Sequence, residues 1–170
     1  PKTNKDDLLL IMGGPMGIKD IGSIKYPWLK AEKEFIKLEL KKLTPIIGVC
    51  LGAQLLAYAA GGDIETLKYG SPPKPFPEVG WSQIFFNQSN NDLTKFSETP
   101  FHVLHWHGDR ILLPKNAELL ASSLRCKEQF FKIGNLAYGL QFHVELSKEM
   151  TERWINEDKL FIQKGLGPKG

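Results

Sequence analysis

Two cysteines, Cys50 and Cys126, are all that 170 residues contain, which excludes a disulfide framework and suits a reducing compartment. No apolar run approaches the roughly 20 residues needed to cross a bilayer, and no signal-peptide pattern is present, so a cytoplasmic protein without membrane contact is expected. Neither sign of charge forms a block. Against 19 acidic residues stand 22 basic ones, a formal +3, and most early lysines alternate with acids, so nucleic acid is not an expected partner. A G-x-x-x-x-G-K-S/T phosphate loop is missing, so a nucleotide-activating step would belong to another polypeptide. With no repeat, low-complexity tract or linker, and 42% hydrophobic residues, a single domain over residues 1–170 is expected.

What is present centres on Thr44 to Gly62. Ile46, Ile47 and Val49 form a β-branched run suited to a strand buried on both faces, and Ala53 to Ala59 suit a helix that stops at Gly61-Gly62. Cys50 stands at the corner between them. Gly48 and Gly52 flank it as G-x-C-x-G, the thiol counterpart of the nucleophile elbow, where small neighbours let strand and helix approach around a strained residue. Helical amides pointing toward the sulfur favour thiolate, and the Leu51 amide is free to receive an oxyanion.

Upstream, Leu8 to Met12 reads as a central parallel strand ending at Gly13-Gly14-Pro15, a loop whose amides can approach a ligand closely. Pro27 then opens a helix whose apolar residues Trp28, Ala31, Phe35 and Leu38, with Ile36, Leu40 and Leu43, are expected to cover the sheet. Strand, helix and strand form a βαβ unit, so both loops should share one carboxyl edge, where open α/β sheets bind ligands. The chain opens with Pro1 and enters this strand almost at once, so a segment ahead of it is expected.

Beyond Gly62, the proline-rich stretch Gly70 to Pro77 reads as an irregular surface excursion. Strands are expected at Trp81 to Phe86, Phe101 to Trp106, Glu118 to Ser123, Glu128 to Ile133 and Ala137 to Phe142, with turns notably at Asn87 to Asp92 and at Gly134-Asn135. A last helix, capped by Ser147, should turn Met150, Trp154, Ile155 and Phe161 toward the body.

The second informative stretch is Tyr138 to Glu145. Residues two apart on a strand share a face about 6.6 Å apart, so Glu145 could fix one nitrogen of His143 and leave the other to face a thiolate. His102, His105, His107 and Asp109 suggest a metal cluster, but no second Cys or His group stands at finger-like spacing, so no metal is expected. Cys126 lacks an elbow and is expected to be structural.

Gly13-Gly14-Pro15, the Gly48 to Gln54 elbow and Gly139 to Glu145, in that order, resemble the three signature blocks of the class I glutamine amidotransferases. Val79-Gly80-Trp81 and His105 to Asp109, followed by Leu113-Pro114, resemble the stand-alone, GMP-synthase-like members. The resemblance implies a flavodoxin-like α/β fold, an open and mostly parallel sheet flanked by helices with a smaller antiparallel portion. It also implies a further strand and helix before Asp6. On that basis Cys50, His143 and Glu145 would be a catalytic triad and the Gly14 and Leu51 amides its oxyanion hole. Gln54, with Gly13 and Gly52, would contact the substrate, and the Trp106 to Asp109 loop, including His107 and Gly108, would close over it. Val144 stands where the family commonly has proline, with little loss expected.

The implied activity is release of glutamate and ammonia from L-glutamine through a γ-glutamyl thioester, without a cofactor, for an acceptor on a separate synthetase polypeptide. Two alternatives stay open: a γ-glutamyl peptide or conjugate hydrolase using the same triad, and a catalytically silent binding module.

Overall fold

The computed structural model describes residues 3–4, 7–87 and 100–167. The turn expected at Asn87 to Asp92 lies, from residue 88 on, outside the described residues, as does Asp6. Strands β1 (Leu9–Ile11) and β2 (Ile46–Val49) run parallel, with Ile11 opposite Gly48, and helix α1 (Trp28–Lys41) joins them. Strand β11 (Ala137–Leu140) lies parallel on the other side of β2, Leu140 opposite Val49. From there the sheet continues through antiparallel pairings to β10 (Phe130–Ile133), β9 (Ala117–Ser122), β6 (Glu78–Phe86) and β7 (Phe101–His107). The architecture is the expected α/β class, with the parallel strands carrying the glycine and cysteine loops and the antiparallel strands extending one side. Among the described residues no helix is long and apolar enough to cross a membrane.

The consequence for function is one shared edge. Ile11 runs into Met12-Gly13-Gly14, Val49 into Cys50, and Leu140 into Gln141-Phe142-His143, all from the carboxyl ends of neighbouring parallel strands. Beneath that edge lies the main core, where helix α2 (Leu51–Ala59) buries Leu51, Ala53, Leu55, Leu56 and Ala57 against Ile11, Ile46 and Phe131. Full burial of each large aliphatic side chain contributes about 1.5–3 kcal/mol before entropy is subtracted. The helix ends as expected: Gly61, at φ 94°, donates its amide to Tyr58 O.

Several expectations are corrected. The buried side of α1 is Leu29, Ile36 and Glu39, while Trp28, Ala31, Leu38 and Leu43 are exposed. A buried carboxylate is tolerated because Glu39 accepts hydrogen bonds from Thr3 Oγ1 (2.6 Å), Thr44 Oγ1 (2.6 Å) and Lys42 Nζ (2.7 Å). These partners lie outside the helical repeat, so the apolar count misjudges the helix rotation. Within the proline-rich excursion, β5 (Lys74–Pro75) pairs with β4 (Lys68–Tyr69). A further ribbon, β3 (Asp63–Thr66) with β8 (Asp109–Leu112), went unread because its strands are short and polar. The last helix is two: α3 (Lys148–Glu157), whose Ser147 cap accepts from the Met150 amide at 3.3 Å, and α4 (Lys159–Leu166), which begins after a break at Asp158. Trp154 and Phe161 do face inward onto Trp106, but Met150 and Ile155 are exposed.

Candidate active site

Cys50 sits at φ 51° and ψ −108°, a left-handed conformation that costs a non-glycine residue of order 1–3 kcal/mol. The flanking glycines explain how it is held. A Cβ on Gly48 would stand 2.5 Å from the Gly52 carbonyl oxygen, and one on Gly52 would overlap the Ile11 carbonyl, so strand and helix meet closer than any side chain permits. The Cys50 amide donates to Leu140 O at 2.7 Å, tying the corner to the end of β11. Cys50 is partly exposed and lines an open cavity of about 570 Å³.

The Gly13-Gly14 loop closes one side. A Cβ at Gly13 would meet Cys50 Cβ at 3.3 Å and His143 Cε1 at 3.5 Å, so the loop backbone, the thiol and the imidazole crowd one point. A Cβ at Gly14 would lie 3.5 Å from Leu51 Cδ2, so the glycine loop packs against the first residue of α2. Leu51 is the first residue of α2, and its amide has no acceptor within the helix.

His143 and Glu145 do not lie on a regular strand. β11 ends at Leu140, and the following backbone is held by the Gln141 amide donating to Gln129 O at 2.8 Å and by an isolated bridge, the His143 amide donating to Leu104 O at 2.8 Å. The bend still brings the pair together, His143 Nδ1 lying 2.6 Å from Glu145 Oε1. Burial opposes charge on the imidazole, but the neighbouring Cys50 and Glu145 outweigh it and raise its pKa from 6.5 to about 9. Burial also opposes ionisation of Glu145, yet the bond to His143 and local backbone amides hold its carboxyl below the usual range. A carboxylate on Nδ1 leaves Nε2 as the free nitrogen; it is buried and lacks a hydrogen-bond partner among the described residues.

Among the remaining candidates, Trp106 lines the cavity, and its carbonyl lies 4.0 Å from Cys50 Sγ. His107, Gly108 and Asp109 are not a closing loop: His107 ends β7 and Asp109 starts β8. Buried His107 lies 3.3 Å from Glu78 and 3.3 Å from Gln129 Nε2, which itself donates to Glu78 Oε2 at 2.8 Å. His105 Nδ1 lies 3.7 Å from Glu78 Oε2, neither ring nitrogen is hydrogen-bonded among the described residues, and burial lowers its pKa to about 4, whereas His102 is exposed. Gln54 is buried in α2 away from the cavity and donates to Gln141 Oε1 at 3.2 Å. Burial pushes the Cys126 thiol up to about 12, consistent with an inert filler.

Two residues here were not singled out for the site from the sequence. Gln141, fully buried, donates through Nε2 to Cys50 Sγ at 3.7 Å, and its position within the Gly139 to Glu145 block was the available signal. Trp154 packs edge-on to His143 with ring centroids 5.1 Å apart, a contact that its apolar helix position did not distinguish from core packing.

A strained cysteine at the carboxyl edge of a parallel sheet, beside a carboxylate-bound imidazole, defines an α/β protein of the cysteine-elbow class. The profile described as "Glutamine amidotransferase class-I" matches residues 2–162, and the chain belongs to that family. It is 30% identical over 173 residues to the putative glutamine amidotransferase-like protein YfeJ of Salmonella typhimurium, covering 99% of this chain and 69% of that one. It is 31% identical over 160 residues to a glutamine-hydrolyzing GMP synthase subunit of Saccharolobus solfataricus, covering 93% and 76%. A crystal structure of a glutamine amidotransferase from Thermotoga maritima superposes with a TM-score of 0.76 at 34% identity, covering 92% of this chain and 64% of that one. The chain thus spans just under two thirds of that solved chain, and 20% of the GMP synthase of Cytophaga hutchinsonii.

Proposed function

We propose that the protein hydrolyses the side-chain amide of glutamine with Cys50 as nucleophile, His143 as acid and base, and Glu145 as the group that orients the imidazole. The observation that carries this reading is the 2.6 Å contact from Glu145 to Nδ1 of a histidine crowded against the elbow cysteine. An imidazole pKa of about 9 keeps His143 protonated at neutral pH, with a proton to give to the leaving group. The thiolate attacks the amide carbon, and charge gathers on the oxygen between the Gly14 and Leu51 amides. As the carbon–nitrogen bond breaks, His143 gives its proton to the departing ammonia. Neutral His143 then takes a proton from water, which attacks the γ-glutamyl thioester, releasing glutamate and restoring the thiolate–imidazolium pair. By analogy with the relatives named as glutamine-hydrolyzing GMP synthase subunits, the ammonia serves an acceptor held by a separate synthetase polypeptide.

A second reading keeps this chemistry and makes the substrate a γ-glutamyl conjugate. The open cavity favours it, because about 570 Å³ leaves room for a leaving group larger than ammonia. Glutamate release by the full-length protein from glutamine and from γ-glutamyl peptides tests both. Release from glutamine at the higher kcat/KM supports the amidotransferase reading; release confined to the conjugates replaces it with the second.

A further inference from the structure

Strand pairing gathers a second set of ligating side chains away from the cavity. His105 and His107 stand two apart on β7 and share a face, and β6 sets Glu78 directly opposite His107. Trp106, between the two histidines, points the other way and lines the active-site cavity. The three donor atoms lie within 4.8 Å of one another, and all three residues are buried, Glu78 at 3% exposed and His105 at 0%. Because one donor comes from the neighbouring strand, spacing along the chain shows no metal motif.

Hydrogen bonding does not account for this cluster. Neither ring nitrogen of His105 has a partner among the described residues. A proton shared between Glu78 and one imidazole serves that ring and leaves the other. The separations also exceed the roughly 2.7–2.9 Å of a charge-assisted bond: Glu78 Oε2 lies 3.3 Å from His107 Nε2 and 3.7 Å from His105 Nδ1. They come close to the roughly 3.3 Å between two ligands of a tetrahedral zinc with bonds of about 2.0–2.1 Å.

The surrounding groups are arranged as supports for such an ion. The Asp109 carbonyl accepts from His107 Nδ1 at 2.9 Å, which puts the lone pair on Nε2, facing Glu78. Gln129 Nε2 has two hydrogens and faces three acceptors: Glu78 Oε2 at 2.8 Å, Ser123 Oγ at 3.2 Å and His107 Nε2 at 3.3 Å. A cation that takes the His107 lone pair leaves one hydrogen for each of the other two. Gln129 Oε1, buried beside them and unpartnered among the described residues, is the acceptor available for a fourth position.

We infer that Glu78, His105 and His107 form a buried zinc site that ties β6 to β7. Two neutral imidazoles and a carboxylate are a donor set zinc accepts, and their burial makes the role structural. The ion fixes the stretch of β7 that reaches the reaction centre, since the Trp106 carbonyl lies 4.0 Å from Cys50 Sγ and Leu104 bridges to His143. This site stands independently of the hydrolytic reading.

The test uses full-length protein carrying Cys50→Ala, which removes the cavity thiol as a rival ligand, produced in zinc-supplemented medium and desalted. Elemental analysis is expected to find about one zinc per chain, and zinc-edge X-ray absorption a shell of nitrogen and oxygen alone at about 2.0–2.1 Å. Stripping the metal with a chelator should lower Tm by about 10 °C, and ZnCl2 alone should restore it. Adding Glu78→Gln and His105→Gln should cut the zinc content at least 10-fold in protein that thermal unfolding shows to be folded. Should that variant fail to fold, the zinc anomalous peak in crystals of the Cys50→Ala protein decides, and it is expected between Glu78, His105 and His107. Folded protein that neither carries zinc nor takes it up from ZnCl2 overturns the site. So does zinc kept by the folded double variant, sulfur in the absorption shell, or an anomalous peak elsewhere only.

Discussion

Glu145 divides its two oxygens between His143 and the main chain: Oε1 lies 2.6 Å from His143 Nδ1, and Oε2 accepts the Val144 amide at 2.9 Å. The carboxylate is thereby fixed by the backbone on which it stands. Proline, common in the family at the position of Val144, has no amide hydrogen and cannot make the second bond. Here the departure from the family pattern supplies a contact. Val144→Pro is expected to leave Cys50 in place and to lower kcat by a few-fold with KM nearly unchanged, in steady-state glutaminase assays.

The imidazole pKa predicts a pH dependence of stability. Because the folded-state value of about 9 lies above the ordinary 6.5, protonated His143 stabilises the fold. That contribution is complete below about pH 6.5 and is lost as pH rises through 9. Against His143→Gln, wild type should therefore lose an advantage on the order of 2–3 kcal/mol between pH 6.5 and 9.5, measured by denaturant unfolding.

Glu145→Gln keeps the shape and removes the charge that helps hold the imidazolium. The alkaline limb of the kcat/KM profile should move toward lower pH by about one unit, and kcat should fall roughly 10- to 100-fold. An unchanged limb would remove Glu145 from the set.

The elbow was legible in the sequence because its constraint is steric: Gly48 and Gly52 stand where any Cβ would strike backbone, and that requirement shows directly as G-x-C-x-G. The Gly13-Gly14 and Cys50 loops were legible at the sheet edge because each follows a short apolar run. The face of α1 was not, since the bonds that let Glu39 turn inward come from Thr3 and Thr44, outside the helical repeat. Nor was the geometry of His143 and Glu145, which is set by a bend after β11 and a bridge to Leu104 rather than by strand alternation. Trp154 reaches the imidazole only through tertiary packing, so spacing along the chain carried no sign of that contact, whereas Gln141 on the sulfur was signalled only by its place in the Gly139 to Glu145 block.

Gly13 is the point where the loop, Cys50 and His143 converge, and it is expected to tolerate no side chain without cost to the reaction. In Gly13→Ala the added carbon, 3.3 Å from Cys50 Cβ, should push the loop from the sulfur and reduce kcat/KM by about 100-fold, the scale of losing one oxyanion donor. Gly52→Ala, overlapping the Ile11 carbonyl, should instead destabilise the fold itself, seen as a lowered Tm or loss of soluble protein.

Attack of the Cys50 sulfur on a γ-glutamyl carbon is the central claim. Incubating the full-length protein at neutral pH with a chloroketone analogue of glutamine, then mapping the adduct by mass spectrometry, tests it most directly. One adduct is predicted, on Cys50, slowed by excess glutamine and absent in Cys50→Ala, with Cys126 unmodified. An unmodified Cys50 in folded protein, or labelling that glutamine and γ-glutamyl amides fail to slow, would contradict it.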